Sequence, residues 1–342
     1  MKQLLNTLFV TTQKAYLSRQ GETVCVNVER ETRLRVPIHT LGGIVCFGNV
    51  TCSPFFMALC GQKQVTLSFL SENGRFLARV HGPVAGNVLL RREQYRCADD
   101  EDACAEIAAG IITAKIANGR VVILRARRDR PDSNGQLLSR AADRMANSLE
   151  DLQVPQTLDG LRGIEGEAAR NYFDAFDALI TAQKDDFFFR TRNRRPPLDN
   201  VNALLSFCYT LLAHDVASAC EAVGLDPAVG FLHRDRPGRA GLALDLMEEL
   251  RPYLGDRFVL SLINRQQVKA AGFATTESGA VMMDDATRKT VLVAWQKRKQ
   301  EEIIHPFLDE KIVLGLLPYV QALLMARFLR GDLAGYPPFL WK

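Results

Sequence analysis

No two of the eight cysteines, at 25, 46, 52, 60, 97, 104, 208 and 220, stand as C-x-x-C. That spacing excludes a zinc ribbon and a thioredoxin-type redox pair. Most lie in apolar surroundings such as "FFMALCG" and "LLSFCYTLL", where reduced, buried thiols of a cytosolic protein are expected rather than a disulfide framework. The first residues, "MKQLLNTLFVTTQ", hold neither a long apolar stretch nor a small-residue cleavage site, so a secretory signal is not expected. An uninterrupted apolar run of about 18 residues is missing, and a membrane span is not expected either. Internal repeats and low-complexity segments are absent. Charge of one sign is only slightly in excess: 43 Lys and Arg against 39 Asp and Glu leave a formal net charge of +4, a weak pointer to a polyanionic partner.

What is present is a chain of 342 residues, 47% hydrophobic and 24% charged. That is ordinary globular composition, long enough for two or three domains. The first ~100 residues read as short strands and turns. "ETVCVNVE" alternates apolar and polar residues, "GGIVCFGNV" is a short apolar run between glycines, and "VTLSFLSENGRFLARV" is two strands joined by Asn73-Gly74, a hairpin signal. Between them "SPFFMALCGQKQ" predicts a helix with Ser53 as cap and Pro54 in its first position. From about Asp102 the texture turns helical. "VNALLSFCYTLLAHDVASACEAVGLDP" predicts a long helix stopped by Gly224, and "DDATRKTVLVAWQKRKQEEI" and "KIVLGLLPYVQALLMARFLRGDL" continue the helical pattern. The expected fold is α+β and multidomain: a small β-rich domain over 1–98, then a larger all-α domain over 99–342.

Two stretches carry acidic residues in informative places. In "LRGIEGEAARNYFDAF" a helix starting near Ile164 lines up Glu165, Ala168, Ala169, Tyr172 and Phe176 on one face. Glu167 points about 160° away from it, at roughly 100° per residue. An inward carboxylate needs a cation, a metal or a set of donors. A helix-end Glu bonded to backbone N–H groups is the plainer account of this stretch taken alone. In "GFLHRDRPGRAGLALDLMEELRP", His233 precedes an Arg- and Gly-rich loop and a helix. Ala243, Leu246, Met247 and Leu250 form that helix's apolar side; Asp245, Glu248 and Glu249 lie opposite. The pattern by itself favours a solvated acidic face over a metal site. If Glu165 meets this segment in space, however, one imidazole and several carboxylates make a set suited to Mg²⁺ or Mn²⁺.

Basic clusters suggest the ligand. "RARRDR" and "RFLARVHG" are cationic, and "FFFRTRNRRPP" sets Arg190, Arg192, Arg194 and Arg195 beside three aromatic residues. Arginine forks bind phosphate oxygens, and rings stack on splayed bases. Each cluster taken singly is also what a solvated loop looks like. Together with a hard-metal site they suggest metal-assisted phosphodiester chemistry on nucleic acid.

The order of "GIEGEAARNYF", "NALLSFCYTLLAHDV", "GLDPAVGFLH" and "LALDLMEELRP" resembles that of the CRISPR-associated spacer-acquisition integrases. "GRFLARVHGPVAGNVLLRREQY" resembles the same family, and "HPFLDEKIVLGLLPYVQALLMARFLRGDLAGYPPFLWK" its subtype I-C branch. The resemblance spans essentially the whole chain. It implies an N-terminal β-domain that forms a homodimer and a helical domain that holds one Mg²⁺ or Mn²⁺. By motif the ligands implied are Glu165, His233 as a neutral imidazole, and Glu248, with Asp245 as a further acidic residue near the metal. Many members have Asp where this chain has Glu248, which leaves Glu249 as an alternative. The implied activity is metal-dependent endonuclease and transesterase chemistry: a 3′-hydroxyl of protospacer DNA attacks a phosphodiester of the leader–repeat DNA. The implied partner is the small second acquisition protein, in a heterohexamer. Two other readings stay open: a structure-selective nuclease that does not integrate, and a DNA-binding scaffold without an active site.

Overall fold

The computed structural model describes residues 5–72, 74–80, 82, 88–129 and 134–341. Asn6–Val10 (β1), Tyr16–Gln20 (β2), Thr23–Val28 (β3), Glu31–Pro37 (β4), Leu41–Phe47 (β5), Thr51–Cys52 (β6), Thr66–Leu70 (β7) and Phe76–Val80 (β8) build two four-stranded sheets. Their orders are β1-β5-β7-β8 and β4-β3-β2-β6. β5 runs parallel to both β1 and β7. Parallel neighbours cannot be joined by a tight turn, and the helix Pro54–Gln62 (α1) occupies the crossover from β5 to β7. It starts as expected, with Ser53 Oγ accepting from Phe56 N at 3.2 Å and Pro54 in the first position. β7 and β8 form the expected antiparallel hairpin. Gly74 turns there at φ +84°, as only glycine does without strain; Asn73 lies outside the described residues. Leu17, Val24, Ile38, Ile44, Phe56 and Leu67 are wholly buried between these elements.

The remaining helices are Val88–Ala98 (α2), Glu101–Asp129 (α3), Gly135–Asp151 (α4), Leu158–Asp174 (α5), Asn200–Val223 (α6), Gly241–Leu250 (α7), Arg257–Asn264 (α8), Asp285–Lys299 (α9) and Leu317–Leu329 (α10). The chain divides into two compact units: Met1–Ala85 with Met283–Glu301, and Gly86–Met282 with Glu302–Lys342. This differs from a boundary at 98/99 in two ways. α2 belongs to the second unit, where the buried Gln94 donates to Asp226 O and Val229 O at 2.8 and 2.7 Å and accepts from Asp226 N. α9 returns to the first unit, where Gln296 Nε2 donates to Thr7 O of β1. Helical periodicity identifies which face of α9 is apolar but not which distant strand covers it. The second unit is also not purely helical, since Glu302–Ile304 and Lys311–Val313 pair antiparallel.

By length and composition α3 and α6 pass the test for a membrane span that the sequence was not expected to meet. However, 56% and 67% of their apolar windows are buried inside the protein, so they are its core helices. All eight cysteines are free thiols, and only Cys52 and Cys97 are not fully buried. α3 packs against α4, α5 and α7, and α7 also packs against α6 and α10. Nine of the ten α7 residues are consequently buried, Asp245, Glu248 and Glu249 among them. The solvated acidic face is therefore not there. Periodicity sorts a helix into faces but cannot count its neighbours, and α7 has neighbours on every side.

Candidate active site

α5 begins earlier than expected, at Leu158, because Thr157 caps it by accepting from Gly160 N at 3.2 Å. The apolar stripe holds: Ala168 and Tyr172 are buried on α5, and Phe176 continues it in the turn beyond. Glu165 sits on that stripe with 29% of its side chain exposed. Its partner is Lys115 of α3, whose ammonium meets Glu165 Oε1 and lies 2.7 Å from Glu248 Oε2. Glu167 is exposed. Glu165 and Glu248, from two helices distant in sequence, are thus brought to one lysine.

The loop before α7 supplies His233. It passes so close over the helix start that a Cβ on Gly230 would lie 2.6 Å from both Asp245 Oδ2 and the Gly241 carbonyl carbon, which is why a residue without a side chain stands there. Below it, Asp245 accepts from the backbone N–H groups of Phe231, Leu232 and His233 at 2.6, 3.0 and 3.0 Å. Asp245 Oδ1 also lies 2.6 Å from His233 Nδ1. A carboxylate only accepts, so Nδ1 is the protonated nitrogen, and in the neutral ring the lone pair is on Nε2. Nε2 faces Glu248 Oε1 at 3.9 Å. From α5, Arg162 holds the same loop by donating to Leu232 O at 2.9 and 3.2 Å. Asp245 therefore faces the loop and orients His233; it does not face the space beside Glu248.

After α7 the chain widens into a π-helical stretch, Arg251–Asp256. This returns Arg251 Nη1 to Glu248 Oε1 at 2.8 Å. Burial, the largest influence, pushes the Glu248 carboxyl up, but Arg251 and Lys115 outweigh it and hold it down at about 2. Glu248 is thus an ionised carboxylate only 3% exposed. Glu249 points elsewhere: it accepts from Tyr336 Oη at 2.5 Å, Phe339 N at 2.8 Å and Gln321 Nε2 at 3.0 Å. Burial pushes it up to about 7 against those hydrogen bonds. It is tied to the C-terminal segment and is no substitute for Glu248.

The donors suit a hard divalent ion: an imidazole nitrogen with a free lone pair and two carboxylates, one with a buried oxygen, Glu248 Oε2, that has no hydrogen bond and only the lysine ammonium beside it. As they stand, no three His, Cys, Asp or Glu side chains among the described residues are close enough to hold a metal. Lys115 takes the place between the two glutamates. Lys115, Arg251 and Arg162 all escape a reading by motif. Lys115 does carry a signal, as the only charged residue between Glu106 and Arg120 on a buried helix.

The basic clusters separate. Arg190 stacks over Phe188 at 5.3 Å, and Arg190, Arg194 and Arg195 are exposed. Arg192 turns inward instead: it donates to Asn202 Oδ1 at 2.7 Å, Asn193 O at 2.5 Å and Ser206 Oγ at 3.2 Å. Phe187 and Phe189 are core residues, which leaves Phe188 as the ring of the three that solvent reaches. Arg125 stacks on Trp341 at 4.0 Å, Arg127 bonds Ser139, and Arg79 bonds Ser68. Arg130 and His81, of the same clusters, lie outside the described residues.

A family model described as CRISPR associated protein Cas1 matches residues 8–297. A protein of Chlorobaculum tepidum described as CRISPR-associated endonuclease Cas1 1 is 54% identical over 343 residues, covering 100% of both chains. Among solved structures, a casposase bound to integration product superposes with a TM-score of 0.84 at 21% identity, covering 99% of this chain and 95% of that one. A Cas6-RT-Cas1–Cas2 complex has a TM-score of 0.83 at 20% identity, covering 100% of this chain and 36% of that one. At those identities the two structures show a shared fold.

Proposed function

The chain belongs to the CRISPR-associated endonuclease Cas1 family, and from that premise we propose that it is an integrase of CRISPR adaptation, of subtype I-C, which inserts protospacer DNA into the CRISPR array. The observation that supports the reading is the approach of two other stretches of chain to Glu248, a buried ionised carboxylate: His233 Nε2 lies 3.9 Å from it, and Lys115 links it to Glu165. Mg²⁺ or Mn²⁺ held by these three would polarise the scissile phosphate and acidify the attacking hydroxyl. The other residues keep those ligands ready. Asp245 fixes the imidazole with Nε2 outward, Arg251 keeps Glu248 ionised, and Gly230 lets the His233 loop lie close. In the joining step the donor 3′-oxygen would bond to the phosphorus at the leader–repeat junction, and the bond from that phosphorus to the 3′-oxygen of the strand being cut would break. The attacking hydroxyl's proton would pass to solvent, and the released 3′-oxygen would take up a proton from solvent.

The proposed assembly is a homodimer through the first unit, joined by the small second acquisition protein in a heterohexamer. Exposed apolar residues of the first unit, Phe55 at 76%, Phe76 and Leu77, support it. The similar fold in a Cas6-RT-Cas1–Cas2 complex supports such a partner.

The test compares protospacer donors with free and blocked 3′-hydroxyls on a leader–repeat target. Joined product from the free donor alone is the expected result. Cleavage with no joining from either donor would make the reaction hydrolysis by water. The arginines give a separate expectation. Replacing Arg190, Arg194 and Arg195 together by Ala lowers the salt slope of DNA binding by about 0.9 for each phosphate no longer neutralised, with the melting temperature unchanged. Arg192→Ala does the reverse, because it leaves Asn193 O without its side-chain donor and takes from Asn202 Oδ1 the closer of its two donors, the other being Asn193 N. Binding titrations over a salt series and thermal melts of both variants check this.

A further inference from the structure

Lys115 stands where an ion shared by Glu165 and Glu248 would have to stand. Its side chain leaves the middle of α3 with 15% exposed, and its ammonium is ion-paired to both carboxylates. Two cations on one pair of oxygens repel, and hard divalent ions hold carboxylate oxygens at about 2.0–2.6 Å, closer than an ammonium does. Both cannot occupy that space. Taking Glu165, His233 and Glu248 as the metal ligands, we infer that Lys115 is a placeholder for the divalent ion: it compensates the two carboxylates in the metal-free protein and is displaced when the ion binds.

Three features of the site support this. Without Lys115, Glu165 and Glu248 would confront each other with Arg251 as the cation paired to Glu248 alone. Glu165, 29% exposed, would then face the buried Glu248 with no cation of its own, and such like-charge repulsion is destabilising, so the lysine lets the fold form before any metal arrives. Displacement has somewhere to go, since a cavity beside Lys115 is lined by Glu165, Tyr172, Tyr209, Arg251 and Asp256. Finally, exchange selects by charge. A monovalent ion would replace one unit charge by another and gain nothing, whereas a divalent ion adds one. Lys115 thus acts as a filter on which ions enter as well as a counter-charge for the two carboxylates.

The experiment measures Mn²⁺ binding by electron paramagnetic resonance, and melting temperature with and without Mn²⁺, for the parent, Lys115→Met and Glu165→Gln. Lys115→Met melts several degrees lower without metal yet binds Mn²⁺ roughly tenfold tighter, since the ion no longer breaks a buried ion pair. Its stabilisation by Mn²⁺ is correspondingly larger than the parent's. A second measurement needs no variant. In the parent, acetylation of Lys115 followed by mass spectrometry rises at saturating Mn²⁺, while the exposed Lys269 and Lys184 do not change. If Lys115→Met is insoluble with and without Mn²⁺, the acetylation result alone decides. A folded Lys115→Met that binds Mn²⁺ no tighter than the parent overturns the placeholder role, as does Lys115 acetylation unmoved by bound Mn²⁺. Failure of the metal site itself looks different: a parent that does not bind Mn²⁺, or a Glu165→Gln that binds it like the parent, removes the ligand assignment and the placeholder with it.

Discussion

Glu165→Gln is expected to lose Mn²⁺ binding and to slow strand transfer by about a thousandfold or more while remaining folded. A ligand to a catalytic ion supports several kcal/mol of transition-state stabilisation, and each ~1.4 kcal/mol is a factor of ten in rate. The substitution is nearly isosteric and removes one negative charge. It leaves Lys115 with Glu248, a pair already 2.7 Å apart, so no buried charge is stranded. Like-charge repulsion between carboxylates would suggest that the variant gains stability without metal. Lys115 lies between Glu165 and Glu248 and cancels that gain, so the metal-free melting temperature should match the parent's or fall slightly. Glu167→Gln is the control: the residue is exposed on the other side of α5, and its activity should stay within a few-fold. Joining rates, Mn²⁺ titrations and melts of both variants decide the matter. An active Glu165→Gln, or a folded but inactive Glu167→Gln, would show that the wrong glutamate of the pair has been assigned.

The parts of the fold that were legible are those specified by neighbours in sequence. The β7–β8 hairpin follows from period-two alternation around a glycine turn. α6 is capped by Asp199, which accepts from Asn202 N at 2.7 Å, and stops before Gly224 with φ +91°; both are local signals. Glu165 was legible because a carboxylate on an apolar stripe needs a partner. The same rule applied to α3 identifies Lys115, so the two halves of that ion pair are equally visible. Joining them requires knowing that α3 lies against α5 and α7, which no local signal conveys. α7 shows the limit most clearly. Asp245, Glu248 and Glu249 share one side of the helix by count, yet they serve three different neighbours: the loop at 231–233, Lys115 with Arg251, and the segment at 336–339. Spacing alone makes such a set look like one solvated face. α9 and its strand β1 lie at opposite ends of the chain, and their pairing is likewise invisible to periodicity.

Asp245→Asn is expected to lower both stability and metal affinity, and the combination separates a positioning residue from a ligand. Each oxygen of Asp245 accepts twice: Oδ2 from Phe231 N and Leu232 N, Oδ1 from His233 N and Nδ1. Whichever way the amide lies, its NH₂ group faces two N–H donors that had an acceptor. Leaving buried donors unsatisfied costs about 1–3 kcal/mol each, so a loss of about 3 kcal/mol and a fall of roughly 5–10 °C in melting temperature are expected. The imidazole has a second consequence. With an amide N–H toward Nδ1, the favoured tautomer puts the proton on Nε2 and removes the lone pair that faces Glu248. Removing the partner that fixes a ligating histidine typically weakens metal binding about 10–100-fold. Thermal melts and Mn²⁺ titrations, the latter well below the transition, measure the two effects independently. A purely structural Asp245 would lower the melting temperature and leave the Mn²⁺ affinity of the folded protein at the parental value. A direct ligand would lose Mn²⁺ as fully as Glu165→Gln does while keeping the parental melt. The hydrogen bonds of the His233 loop call for the outcome between these: a lower melt together with a partial loss of metal.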